Sequence, residues 1–236
     1  SSAMTSTDLP SEHARELQDP HLLTEEEITA QLQGAPWTRY AAIGDSIVAG
    51  IREPLEGYAD LGWADRVAAG LRRINPELEY HNFGVRDLSA AQIRATQLDA
   101  ALEFKPDIAI VVAGGNDLLG KHFDTAAVET EQARMVSALR SRGCTVVTMG
   151  LFDNTWTPYV AEKYKAVMKH RLQQFSDLTQ AVTLRMGGLH VDLPNCPAGK
   201  EPIFATDGLH LNVRGHAVVA TEVIRTLGEY LAARKA

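Results

Sequence analysis

From Arg39 onward, short apolar runs alternate with longer stretches in which apolar residues recur every three or four positions. The runs cover 40–43, 78–83, 107–113, 145–149 and 189–191. Between them, Trp63, Val67, Leu71 and Ile74 fall on one helical face, as do Ala91, Ala95, Leu98 and Leu102. Val128, Met135 and Leu139 form a third such face, and Tyr164, Met168, Leu172, Phe175 and Leu178 a fourth. A last helix carries Ala217, Ala220, Ile224, Leu227 and Leu231 on one side. Apolar runs without alternation suit strands buried on both faces, and amphipathic helices between them suit right-handed crossovers that cover both faces of a parallel sheet. The pattern predicts an α/β fold: a three-layer α/β/α sandwich around a five-stranded, mainly parallel sheet.

Ahead of this core, residues 1–20 are polar, carry Pro10 and Pro20 and show no periodicity, which predicts an irregular or cloning-derived arm. Ser1-Ser2-Ala3 before Met4 has the look of an expression scar. A helical extension is expected over 21–37, because Thr24-Glu25-Glu26-Glu27 reads as a capping box and Gly34 and Pro36 as its stop. The rest, 38–236, reads as one domain.

Composition narrows the options. With 236 residues, 45% apolar and 22% charged, the chain can bury a single sizeable core. Lys and Arg number 23 against 30 Asp and Glu, a net charge of -7, and no basic patch suits a phosphate backbone, so nucleic acid is not an expected partner. The densest basic stretch, 163–171, lies on a helix with an apolar opposite face and reads as solvated. No apolar run approaches the roughly 18 residues needed to span a bilayer. A basic region followed by an apolar one is also missing from the start, so the expected location is cytoplasmic. Cys144 and Cys196 lack Cys-x-x-Cys or His-rich surroundings and imply no metal site. Cys144 precedes an apolar run and reads as a small buried hydrophobe, whereas Cys196 sits in a Pro-rich loop.

Three short motifs stand where strands hand over to loops or helices: Gly44-Asp45-Ser46, Gly114-Gly115-Asn116-Asp117 and Asp207-Gly208-Leu209-His210. Ligands of an open α/β sheet bind beyond the carboxyl ends of its strands, so all three can converge on one edge. Ser46 is a candidate nucleophile at the turn after the first strand. Asp207 and His210 are close enough for the carboxylate to accept from Nδ1–H while Nε2 faces a substrate, the disposition of a general base. Asn116, beside two glycines, offers a side-chain N–H to an oxygen in the crevice. A nucleotide loop is disfavoured, because Gly50 is followed by Ile51 and Arg52 and no Gly-x-Gly-x-x-Gly occurs. The remaining histidines, His81 and His216 among them, stand in no Asp-x-x-His turn of this kind and read as structural or solvated.

From about Thr38 to the last helix, this combination of motifs resembles the SGNH hydrolases, also called GDSL esterases and lipases. The resemblance implies a flavodoxin-like sandwich. It also implies that Ser46 is the nucleophile, Asp207 and His210 complete a catalytic triad, and Asn116 donates to the oxyanion with the Ser46 amide. One block departs from the family pattern. Asn82-Phe83-Gly84-Val85-Arg86-Asp87 keeps the family Asn but places Asp87 where a Gly is expected to supply a backbone oxyanion donor. The Asp87 amide can still donate if its dihedral angles do not require glycine, but its carboxylate would oppose a developing oxyanion unless turned away or paired.

The expected activity is that of a serine esterase acting on a small-molecule acyl ester, with no metal or organic cofactor implied. Two alternatives stay open: acyl transfer to an alcohol or sugar through the same serine, and a binding module that keeps the fold without catalysis. Phe152, Trp156 and Tyr159 are candidates to line an acyl or aryl pocket, and 52–62 to form a rim.

Overall fold

The computed structural model describes residues 13–235. In chain order the elements are α1 (Ala14–Leu17), α2 (Glu25–Gln31), β1 (Arg39–Gly44), α3 (Ser46–Ala49), β2 (Arg52–Glu53), α4 (Trp63–Arg72), β3 (Glu79–Asn82) and α5 (Ala90–Phe104). They continue with β4 (Ile108–Val112), α6 (Gly115–Leu119), α7 (Thr125–Arg140), β5 (Thr145–Met149), α8 (Glu162–Arg185), β6 (Leu189–Val191), β7 (Leu211–Asn212) and α9 (Val213–Lys235).

Five strands form one sheet in the order β3-β1-β4-β5-β6, every pair parallel. The architecture is the α/β sandwich that the periodicity predicts, and all five expected runs are strands. Alternation divides the core. Tyr40 and Ala42 of β1, with Ile108, Ile110 and Val112 of β4, pack towards α4 and α9 on one face. Ala41 and Ile43, with Ala109 and Val111, pack towards α5 and α7 on the other. Strand order reverses between β1 and β4, which opens a crevice beyond their carboxyl ends, and that is where the first two motifs stand.

The capping box at Thr24 forms as expected, with Glu27 N–H donating to Thr24 Oγ1 and Thr24 N–H to Glu27 Oε1. Residues 1–12 of the expected arm lie outside the described residues. Its described part departs from the expectation: residues 14–17 form α1, and Asp19 is buried. The cause is an ion pair that periodicity does not reveal. Arg214, at the start of α9, donates through Nε to Asp19 Oδ2 at 2.7 Å, and the Tyr58 hydroxyl donates to the same oxygen at 2.7 Å. Glu16 accepts from Arg66 and from the Ala59 amide, so this segment also secures the 52–62 loop. Among the described residues, no helix is long and apolar enough to cross a membrane.

Arg214 and Asp19 are both shielded from water, and removing Asp19 leaves Arg214 with only the half-exposed Glu201 carboxylate as an ion-pair partner. Asp19→Ala is expected to lower unfolding free energy by about 3 kcal/mol in a urea titration. Burial pushes the Asp19 carboxyl up, but the bonds from Arg214, Tyr58 and the His21 amide outweigh it and hold the carboxyl below its usual range. The Asp19 contribution is therefore present above about pH 4 and fades as pH falls through the depressed value. A wild-type midpoint for Asp19→Ala at neutral pH would contradict this.

Candidate active site

At the end of β1 the backbone must turn within one residue, and Gly44 makes that possible. A Cβ there would lie 2.4 Å from the Val112 carbonyl oxygen and 2.5 Å from Val48 Cγ2. Gln97 of α5, itself buried, closes on this residue from behind: Gly44 N–H donates to its Oε1 and its Nε2 donates to the Gly44 carbonyl. Asp45 then caps α3, its Oδ1 accepting from the Ile47 amide at 2.9 Å. Ser46 becomes the first residue of α3, with its hydroxyl turned to the crevice side where His210 stands. Burial pushes the Asp45 carboxyl up to about 6, against the pull of its backbone bonds and of His210.

The third motif comes from the far end of the chain. His210 Nε2 lies 3.1 Å from Ser46 Oγ, and His210 Nδ1 lies 2.6 Å from Asp207 Oδ2. Asp207 Oδ1 accepts from the backbone amides of Leu209 and His210, which fixes the carboxylate under the ring. Burial pushes the Asp207 carboxyl up, but those amides and the imidazole together bring it below its ordinary value. It is therefore an anion at neutral pH, and its Oδ2 accepts from Nδ1–H. That leaves the Nε2 lone pair facing Ser46, the tautomer a general base requires.

A second, two-stranded sheet, invisible in the pattern of apolar positions, clamps the two halves together. β2 pairs in parallel with β7, joining the residues after Ser46 to those after His210. Glu53 Oε2 accepts from both the amide and the hydroxyl of Thr206, next to Asp207. Gly208 takes a positive φ of 75°, and a Cβ there would meet the Tyr159 carbonyl oxygen at 2.6 Å. Asn154 donates to the Gly208 carbonyl at 2.9 Å, so the loop after β5 holds the Asp207 turn from its other side.

Asn116 sits in α6, beyond β4, as expected. Its Nδ2 donates to the Leu88 carbonyl at 3.0 Å and, at 3.3 Å, to Asp45 Oδ2. Asp117 accepts from the Ala90 amide, so α6 and the loop before α5 are held together. In that loop Asp87 adopts φ 66°, the left-handed region that glycine enters freely and aspartate only at a cost. The sequence condition on its dihedral angles is thus not met without strain. Asp87 is exposed, and among the described residues no ion pair joins it to Arg86. Gly84 is needed for a different reason: a Cβ would lie 2.4 Å from the Ala49 amide nitrogen.

Of the aromatic candidates, Phe152 lines a mainly apolar pocket that His210 also borders. Trp156 instead packs edge-on to Phe204 and donates to the Gly199 carbonyl, and Tyr159 borders an open groove of about 680 Å³ with Leu119, Tyr164, Val167 and Leu209. His216 is structural: Nδ1 accepts from the Trp63 amide, Nε2–H donates to the Ile51 carbonyl, and burial pushes the imidazole down to about 4. The 163–171 stretch is not wholly solvated, because Arg171 donates to the carbonyls of Leu118, Gly120 and Lys121 and steadies the segment after Asn116. Sequence reasoning missed Gln97, Glu53 and Asn154. The buried face of α5 is Ala90, Ile93, Gln97 and Ala101 rather than the face of Ala91, Ala95, Leu98 and Leu102 read from the sequence, and that shift hid Gln97.

The family model for the GDSL-like lipase/acylhydrolase family matches residues 42–218. Sequence comparison with curated proteins gives no significant match. Among solved structures, LAE5, an alpha/beta hydrolase enzyme from the metagenome of Lake Arreo, is similar at 21% identity and a TM-score of 0.66, over 81% of this chain and 95% of that one. A variant of Axe2, an acetyl xylan esterase from Geobacillus stearothermophilus, is similar at 20% identity and a TM-score of 0.64, over 81% and 94% of the two chains. The psychrotrophic esterase EstA from Pseudoalteromonas sp., inhibited by monoethylphosphonate, shares 16% identity at a TM-score of 0.62, over 83% and 99%. At these identities the likeness is one of fold.

The buried Asp45 carboxyl has a measurable consequence. With its pKa raised from 3.8 to about 6, ionisation disfavours the folded chain, a penalty absent below about pH 4 and complete above about pH 6. Asp45→Asn keeps a capping oxygen and removes the charge. Its stability relative to wild type is expected to rise by about 3 kcal/mol between pH 4 and about pH 8. Urea titrations at the two pH values check this, and a difference that does not change with pH would contradict it.

Proposed function

The chain belongs to the GDSL-like lipase/acylhydrolase family, a family of carboxylester hydrolases, and on that premise we propose a serine esterase that releases a small acyl group through an acyl-enzyme. In this reading His210 Nε2 takes the Ser46 proton as Oγ attacks the ester carbonyl. Asp207 holds the ring and stabilises the imidazolium, which then protonates the departing alcohol. Water, deprotonated by the same imidazole, releases the acid and restores Ser46. The observation that carries the reading is the unbroken run of contacts from Asp207 Oδ2 through His210 to Ser46 Oγ, at 2.6 and 3.1 Å, between segments 164 residues apart.

The Ser46 amide and the Asn116 carboxamide are the proposed oxyanion donors. Of the two bonds that Asn116 makes, the 3.3 Å contact with Asp45 is the weaker, and it is the one an oxyanion would replace. A third donor, the Asp87 amide, sits in a turn strained by its left-handed backbone. Asp87→Gly is expected to relieve that strain and remove a competing negative charge, raising kcat with p-nitrophenyl acetate by about threefold to tenfold. An unchanged or lower kcat would remove Asp87 from the oxyanion site.

The direct test of the nucleophile pairs turnover with labelling. Ser46→Ala is expected to lower kcat for p-nitrophenyl acetate by about 10⁴-fold or more, and a fluorophosphonate probe is expected to modify wild type stoichiometrically at Ser46. Equal turnover in the two proteins would refute the role given to Ser46.

A further inference from the structure

The start of α8, residues 162–171, carries no buried side chain, and burial in this helix begins at Leu172. Beside it runs the open groove of about 680 Å³, to which Leu119, Tyr159 and Leu209 contribute from other segments. Tyr164 and Val167 line it from α8, three residues apart and therefore on one helical face. Of the ten large apolar side chains exposed among the described residues, these five share this one groove, with exposures of 44% to 57%. Single exposed apolar residues need no explanation, but half of them gathered around one open hollow mark a surface that something covers.

The charge around the groove says what. Between 162 and 171 stand Lys163, Lys165, Lys169 and Arg171 against Glu162 alone, and Lys121 lines the groove beside Leu119, in a chain whose net charge is -7. Arg171 is engaged by the carbonyls of Leu118, Gly120 and Lys121, which fixes the start of α8 against that segment. Lys165 lies 3.5 Å from Glu162, whereas Lys121, Lys163 and Lys169 make no ion pair among the described residues. Asp207 also borders the groove, but its carboxylate is occupied by His210 and by two backbone amides. With about 3.6 residues per turn, Lys163 and Lys165 stand to either side of Tyr164, where lysine stems lie along apolar surface and their heads reach outward. Interfaces between proteins are depleted in lysine. An apolar strip with tyrosines and a lysine rim suits instead the boundary between anionic headgroups and acyl chains.

We propose that the groove and the start of α8 form a docking surface for an anionic lipid bilayer, with Tyr164, Val167, Leu119 and Leu209 at the acyl boundary and Lys121, Lys163 and Lys169 on headgroup phosphates. The contact is peripheral and needs no spanning segment. Because the rest of the chain is acidic, such a surface repels it, and the basic patch sets the orientation in which the molecule lands. Asp207 and Gly208 border the same groove, so docking there sets the Asp207–His210 turn beside the bilayer. The assignment does not depend on the serine-esterase reading, since binding is measured without turnover.

The test is co-sedimentation of the full chain with vesicles of phosphatidylcholine mixed with phosphatidylglycerol, and with vesicles of phosphatidylcholine alone, at low and high salt. Wild type is expected to partition onto the mixed vesicles, and to bind less at high salt or without phosphatidylglycerol. Lys163→Gln combined with Lys169→Gln should lower the partition coefficient about twentyfold. Tyr164→Ser, which removes an apolar side chain, should lower it about tenfold. Lys235→Gln, at the end of α9 beside Gln33, should bind as wild type does. All four substituted side chains are exposed, so urea midpoints should match wild type. Wild type that does not bind mixed vesicles overturns the proposal, as does binding that survives the double lysine substitution or an equal loss in Lys235→Gln. Tyr164→Ser that binds as wild type, whether or not its preference for ester chain length changes, leaves adsorption by charge alone and overturns it too.

Discussion

The imidazole of His210 is held at both nitrogens, by the Asp207 carboxylate on one side and the Ser46 hydroxyl on the other, and this double hold ties the two ends of the domain together. Ser46 follows the first sheet strand and His210 precedes the last helix, so the contact joins segments separated in sequence by the other four strands of the sheet. The rest of the local structure reads as support for it. Gly44 lets β1 and β4 close up at the point where strand order reverses, Gln97 fixes the Gly44 backbone, and β2 with β7 brings the Asp207–His210 loop beside the Ser46 turn.

Buried amides recur as the device that finishes strand ends. Where β1 leaves the sheet, Gln97 satisfies the N–H and carbonyl of Gly44. One strand over, Gln132 of α7 donates to the Ala113 carbonyl just past β4 and to Thr179. Each glutamine sits on the buried face of a helix and pairs with backbone at a strand end, Gln97 through both its oxygen and its nitrogen and Gln132 through its nitrogen alone, its Oε1 being left without a partner among the described residues. The two strand ends so secured are those that present Ser46 and Asn116. Rigidity at these positions is what the proposed oxyanion donors need, since such donors must not move as charge develops.

Much of this was legible in the residues because it depends on local pattern. Apolar runs marked all five sheet strands, helical spacing marked α4, α7, α8 and α9 and the presence of α5 though not its buried face, and Asp207 with His210 announced a pair through a three-residue separation alone. What stayed hidden depends on contacts between distant residues. Neither Arg52 nor Leu211 signals that they pair, and the order in Asp19 comes from Arg214, 195 positions away. Asn116 was placed correctly, but its two bonds to Leu88 and Asp45 could not be foreseen from a tetrapeptide. The left-handed φ of Asp87 was foreshadowed only by its standing at a position where the resemblance leads one to expect glycine.

The central claim is that a single proton on His210 Nδ1 is shared with Asp207 while Nε2 is left free to act on Ser46. Proton NMR of the resting protein reads this directly, because a short imidazole–carboxylate bond shifts its proton far downfield of the amide envelope. The account predicts such a resonance in wild type and in Ser46→Ala, and its loss in Asp207→Ala. A wild-type spectrum without it, or one in which it survives Asp207→Ala, would contradict the account.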